Sequence, residues 1–152
     1  MELIEALESR ADSLVDEAVE LLEHRLVPPY KHVEPEVLQQ RLGKSMTTLI
    51  TALKKRNPLP VIEHGKRVAH ARFNAGYQLE EIQTAFNALE ETIWQFLVDE
   101  VDSDHLAEGL VMVAHLIGAI KDQLGRTYVE LASHHHAPSI NTSRLFAGPQ
   151  GG

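Results

Sequence analysis

The residues of this chain best placed to do chemistry are one cation and one carboxylate, each on an apolar helix face. Both lie in the run from Pro60 to Val101, PVIEHGKRVAHARFNAGYQLEEIQTAFNALEETIWQFLVDEV. With Val61 at zero and 100° per residue, Gly65, Val68, Ala69 and Arg72 fall within roughly 80° of Val61, while Lys66, Arg67 and His70 point away. After a Gly-Tyr-Gln break, Ile82, Phe86, Leu89, Ile93 and Leu97 form one stripe. Glu90 sits on its shoulder, and Glu80, Glu81 and Glu91 face outward. A guanidinium among apolar neighbours needs a counter-charge or a route to water. Two arrangements meet that need: an interhelical Arg72–Glu90 ion pair, or an arginine that lays its stem on the core and extends its head to solvent. At the edge of an apolar pocket the same arginine would suit an anionic ligand.

Other chemistry finds little support. The chain has no cysteine, which excludes thiol and iron–sulfur chemistry and any disulfide framework. The Glu-x-x-His motif of helical-bundle metal sites is absent. His64 and His70 lie about 120° apart on their helix and cannot chelate together. His115 falls opposite an apolar stripe, and His134-His135-His136 reads as part of a solvated tail that would hold a metal weakly at best. There is no Gly-x-Ser-x-Gly elbow and no phosphate-cradling glycine loop. The expectation is no catalytic, cofactor-binding or metal-ligating residue, and no enzyme. The aromatics Phe73, Tyr77, Phe86, Trp94 and Phe96 concentrate in or beside the central run. Trp94 lies roughly 105° off the centre of its stripe. There it either packs on Phe73 or the first helix, or lines a pocket or partner surface with Phe73, Tyr77 and Phe86.

The elements that must position these residues are helices. At 152 residues the chain is long enough to bury a core as one domain. Its net charge of −8 argues against nucleic acid as a partner. The longest apolar stretch, Leu110 to Ile120, is too short for a membrane span, and the acidic MELIEALESRADS start is no signal peptide. A cytoplasmic protein is expected.

In the first helix, Glu2 to about Leu26, residues Ile4, Leu7, Ala11, Leu14, Ala18 and Leu21 repeat at three- and four-residue steps, and Pro28-Pro29 ends it. The second helix starts around Pro35, buries Leu38, Leu42, Met46, Leu49 and Leu53, and stops before Asn57-Pro58. The third closes at Gly76, a natural left-handed cap, and the fourth runs from about Leu79 to Val101. Asp102-Ser103-Asp104 turns into the fifth. There Leu106, Leu110, Val113, Ile117, Ile120, Leu124, Tyr128 and Leu131 lie within about 40° of one direction. Ala107, Ala114, Gly118, Gly125 and Ala132 make a second stripe beside them, which predicts close approach of a neighbour, an internal helix in preference to a second subunit. The pattern stops after Ser133. The expected division is therefore a helical domain over 1–133 and a flexible tail over 134–152, with Leu145-Phe146 as a small apolar plug. No alternating strand pattern occurs, so the fold class is all-α, one bundle of about five helices.

The central run resembles the N-terminal domain of RsbRD-type proteins, the RsbT co-antagonists of bacterial stress signalling. Gly65, Ala69, Arg72, Gly76, Leu79, Glu80-Glu81, Ala85-Phe86 and Trp94 carry the resemblance. It spans about Met1 to Ala132, with the specific motif confined to the third and fourth helices. It implies an all-helical input module, a globin-like arrangement being one form of it, that gathers a signal and hands it to an output domain. No output segment follows Ser133, so a stand-alone module is expected, acting on a regulatory protein partner and forming a homodimer. The alternative is a small-molecule or cofactor sensor with a pocket near Arg72 and Trp94.

Overall fold

The computed structural model describes residues 2–25 and 33–140, with side chains as far as His134. Five helices follow one another: α1 (Leu3–Arg25), α2 (Pro35–Lys55), α3 (Leu59–Asn74), α4 (Leu79–Glu100) and α5 (Ser103–Ile140). No strand occurs among the described residues, and the molecule is an all-α bundle. The Pro28-Pro29 stop and the Leu145-Phe146 plug lie outside those residues.

Local chemistry sets the breaks. Pro35 opens α2, where a missing N–H is harmless. Arg56 ends it in a left-handed conformation, φ 51°, and the Asn57 side chain then accepts the Leu59 N–H at 3.0 Å. Gly76 takes φ 87° in the turn after α3, a conformation that glycine adopts without steric penalty. The Glu81 carboxylate caps the start of α4 by accepting the Gln78 N–H at 2.8 Å. Only α5 outruns the sequence pattern. It continues through the three histidines to Ile140, past the Ser133 boundary expected for the domain.

The helices close into a ring that differs from chain order. α1 packs between α2 and α4, α2 leads to α3, α3 lies along α5, and α5 returns to α4. Consecutive α3 and α4 therefore hardly touch. The core fills the ring: Leu7, Leu14 and Leu22 from α1, Met46, Leu49 and Leu53 from α2, Leu89, Ile93 and Leu97 from α4, and Ile117, Ile120 and Leu124 from α5 are all essentially inaccessible. Full burial of each such side chain contributes about 1.5–3 kcal/mol.

The tightest seam is α3 against α5. A Cβ on Gly65 would stand 3.0 Å from the Ile120 carbonyl oxygen and 3.2 Å from Gln123 Cβ, so any larger residue would push α5 back by a few tenths of an ångström. The stripe of small residues on α5 does something else. An added Cβ at Gly118 or Gly125 would meet nothing within 4 Å, and Ala107 is exposed. The expected internal neighbour at the two stripe glycines is absent among the described residues, because α5 uses its large-residue stripe for the core. The two kinds of glycine should respond oppositely. Gly65→Ala should destabilise the protein by about 1–2 kcal/mol through overpacking, whereas Gly118→Ala should stabilise it by up to about 1 kcal/mol. Urea unfolding of both variants measures the pair.

Candidate functional site

Because α3 and α4 splay apart around α5, a pocket of about 250 Å³ opens between them, walled by α2. Its inner surface is apolar: Leu22 of α1, Leu38 and Leu42 of α2, and Ile82 and Phe86 of α4 are all buried. Its cations are Arg41 and Lys44 from α2 and Arg67 and Arg72 from α3. Arg41 and Arg72 are half-buried, and Lys44 and Arg67 are exposed. Glu81 supplies the carboxylate of the lining, and it is already engaged as the cap of α4.

One buried polar pair stands among the apolar residues. Ser45 Oγ and His64 Nε2 are 2.9 Å apart, with Ser45 3% and His64 6% exposed. Both come from helix faces that are otherwise core, Ser45 three residues after Leu42 and four before Leu49. The imidazole also meets Phe86 edge to face at 6.4 Å. Burial pushes His64 down to about 4, and the charges of Arg67, Arg72 and Lys44 add to the effect, so the ring is neutral near pH 7.

The turn between α3 and α4 closes one end. Tyr77 lies under the Arg41 guanidinium, 5.2 Å from ring centroid to the carbon, and its hydroxyl accepts from Arg41 Nη1 at 3.2 Å. The Tyr77 carbonyl accepts from the Tyr128 hydroxyl of α5 at 3.0 Å. Phe73 packs edge to face on Tyr128 at 5.5 Å. Burial, with Glu81 adding, pushes the Tyr128 phenol up to about 12, so it remains a donor.

The anticipated residues thus divide. Arg72, Tyr77 and Phe86 meet at the pocket. Phe73 faces α5 instead, and Trp94 is 41% exposed, outside the pocket and not packed away. Gly76 has the left-handed backbone expected of it. The Arg72–Glu90 pairing does not occur among the described residues. Glu90 binds Lys121 Nζ of α5 at 2.9 Å, and the same ammonium donates to Asn87 at 3.0 Å. The reason is axial. Arg72 lies one turn before Gly76, whereas Glu90 lies about 16 Å along α4 from its start at Leu79, and α5 occupies the space where the two helices would have met. Arg67, read as pointing away, lines the pocket from an exposed position. Ser45, Arg41 and Lys44 are not candidates on sequence, and His64 enters there only as a residue that cannot chelate with His70, although the phase of Ser45 and His64 on apolar stripes is a usable signal. No group of three or more His, Asp or Glu among the described residues could hold a metal ion, and no helix is long and apolar enough to cross a membrane.

Two measurements follow from this geometry. A double-mutant cycle over Glu90→Ala and Lys121→Met should return a coupling of about 0.5–1 kcal/mol for this partly exposed pair, and a cycle over Glu90→Ala and Arg72→Met should return none. The second concerns acid. The unfolded chain binds a proton at His64 near 6.5 and the folded chain only near 4, so between these values the unfolded state holds more protons. The His64 contribution to stability is complete above about pH 6.5 and is lost as pH falls toward 4. Wild type should therefore lose roughly 2–3 kcal/mol more than His64→Gln over that window, as read by urea unfolding at pH 7.5, 5.5 and 4.5.

Comparison with known proteins agrees with the motif in α3 and α4. No curated protein matches the chain, and no solved structure does. Residues 12–137 match the family described as the RsbT co-antagonist protein rsbRD N-terminal domain, a span that takes in the greater part of α1 and all of α2 to α4, with the pocket between them. The chain belongs to that family of stress-signalling regulatory modules.

Proposed function

We propose that this module takes its input by binding a small molecule in the pocket between α2, α3 and α4, and acts without catalysis. The observation that carries the reading is the make-up of the pocket: a buried apolar surface, a buried Ser45–His64 pair, and four cationic side chains from two helices. Concave, mostly apolar sites with a few convergent polar groups are the usual form of ligand pockets. A purely structural bundle would gain by closing the cleft, since apolar walls left open to solvent forgo burial. The alternative, a module that works through protein contacts alone, is favoured by Trp94 and Val98. They lie one turn apart on α4, 41% and 53% exposed, and an exposed indole beside an aliphatic side chain suits a partner. The two readings are compatible if the pocket is the input and a helix face is the output.

Native mass spectrometry of protein purified from a bacterial lysate tests the pocket. Wild type should carry a small organic adduct, and Ala85→Phe, which fills the pocket from α4, should not. Equal spectra from both proteins, with no stabilisation of wild type by any member of a small-molecule library, would leave protein contact as the better account.

A further inference from the structure

The charges around the pocket say more about its occupant. The chain has 14 Lys and Arg against 22 Asp and Glu, yet four of those cations converge on this one cavity with a single carboxylate, Glu81. Among the described residues none of the four forms an ion pair; the pairs found involve Arg25, Lys54, Lys121 and Arg126. Residues 26–32 and 141–152 contain no Asp or Glu, so no acidic side chain from those segments can supply the missing charge. Among the described residues the Arg41 guanidinium meets the hydroxyl and the ring face of Tyr77. Burial, and then the like charge of Arg41, hold Arg72 below its usual range, and an arginine does not relieve such a conflict by losing its proton. Two guanidinium groups in the lining of one pocket, with no ion-pair partner among the described residues, are what a bound anion would resolve.

The rest of the cavity limits what that anion can be. Leu38, Leu42, Ile82 and Phe86 are buried, while Ser45 Oγ and His64 Nε2 share a hydrogen bond and His64 carries no charge. A fully hydrated ion such as phosphate would leave this apolar part uncovered. At about 250 Å³ the pocket exceeds the ~150 Å³ of an apolar cavity that accepts benzene, so a single ring or a medium-length chain fits. We propose, taking the pocket as the input site argued above, that its occupant is a small amphiphilic monocarboxylate: its carboxylate lies between Arg41 and Arg72, and an apolar body of medium-chain or single-ring size rests on Leu42, Ile82 and Phe86.

Calorimetric titration of the full chain with four probes tests the assignment: octanoate, 1-octanol, octylammonium and inorganic phosphate. Octanoate should bind at least tenfold more tightly than octanol and phosphate, and octylammonium should not bind. The double variant Arg41→Met/Arg72→Met removes two unpaired cations and should stay folded. It should lose at least tenfold in octanoate affinity and keep its weak octanol affinity. Octanol binding as well as octanoate, or a double variant with unchanged octanoate affinity, would overturn the carboxylate assignment and leave the pocket itself standing. Phosphate binding as tightly as octanoate would overturn the amphiphilic part. No binding by any probe would overturn the assignment together with the pocket reading beneath it.

Discussion

The architecture depends on the approach of α3 to α5 at Gly65. With no side chain there, the helix surface meets the Ile120 carbonyl directly, and α5 can sit deep in the bundle, in contact with both α3 and α4. That placement makes the two helices of the family motif neighbours in sequence and near strangers in space. It also decides the electrostatics. Glu90 finds its cation on α5, in Lys121, and Arg72 is left beside the pocket with Arg41. Had α3 and α4 packed as an antiparallel hairpin, the volume between them would have been closed by side chains.

An acidic molecule has concentrated part of its positive charge at one cavity. Cations of this kind do little for folding, since burial without a partner is unfavourable. Residues that break a stability rule without a local gain are often placed for function. The hydrogen bonds and ring contacts around Tyr77 place one of these cations, Arg41, against the turn after α3, and the Tyr128 hydroxyl ties the same turn to α5. The turn is therefore held from both sides of the bundle.

Much of the fold could be read from the residues. Pro35, Asn57-Pro58 and Gly76 mark helix ends because their backbone chemistry is local. The stripe from Val113 to Tyr128 marks the inner face of α5 because burial requires it. What escaped was anything set by the order of helices around the ring. Phase around a helix says that Arg72 leaves the solvent side; it does not say which helix it meets or at what height. The same gap explains the small-residue stripe of α5, whose composition signals room for a neighbour but not whether one is present. The end of α5 is a different case: apolar periodicity is the signal used for a helix, and HHHAPSI has none, whatever its backbone does. At the pocket, Arg72, Tyr77 and Phe86 were legible singly. Ser45 looks like an ordinary polar interruption, and His64 like a histidine without a chelating partner, until the two are placed against each other.

The length of α5 has a mechanical consequence. Tyr128 is its last buried side chain among those described, yet the helix continues to Ile140. That leaves an arm of roughly 18 Å beyond the pivot. A change of about five degrees in the tilt of α5 at Tyr128 would carry its far end by roughly 1.5 Å. The Tyr128 phenol is the one bonded to the turn beside the pocket, so a shift of that turn that tilted α5 about Tyr128 would be enlarged at the far end of the rod.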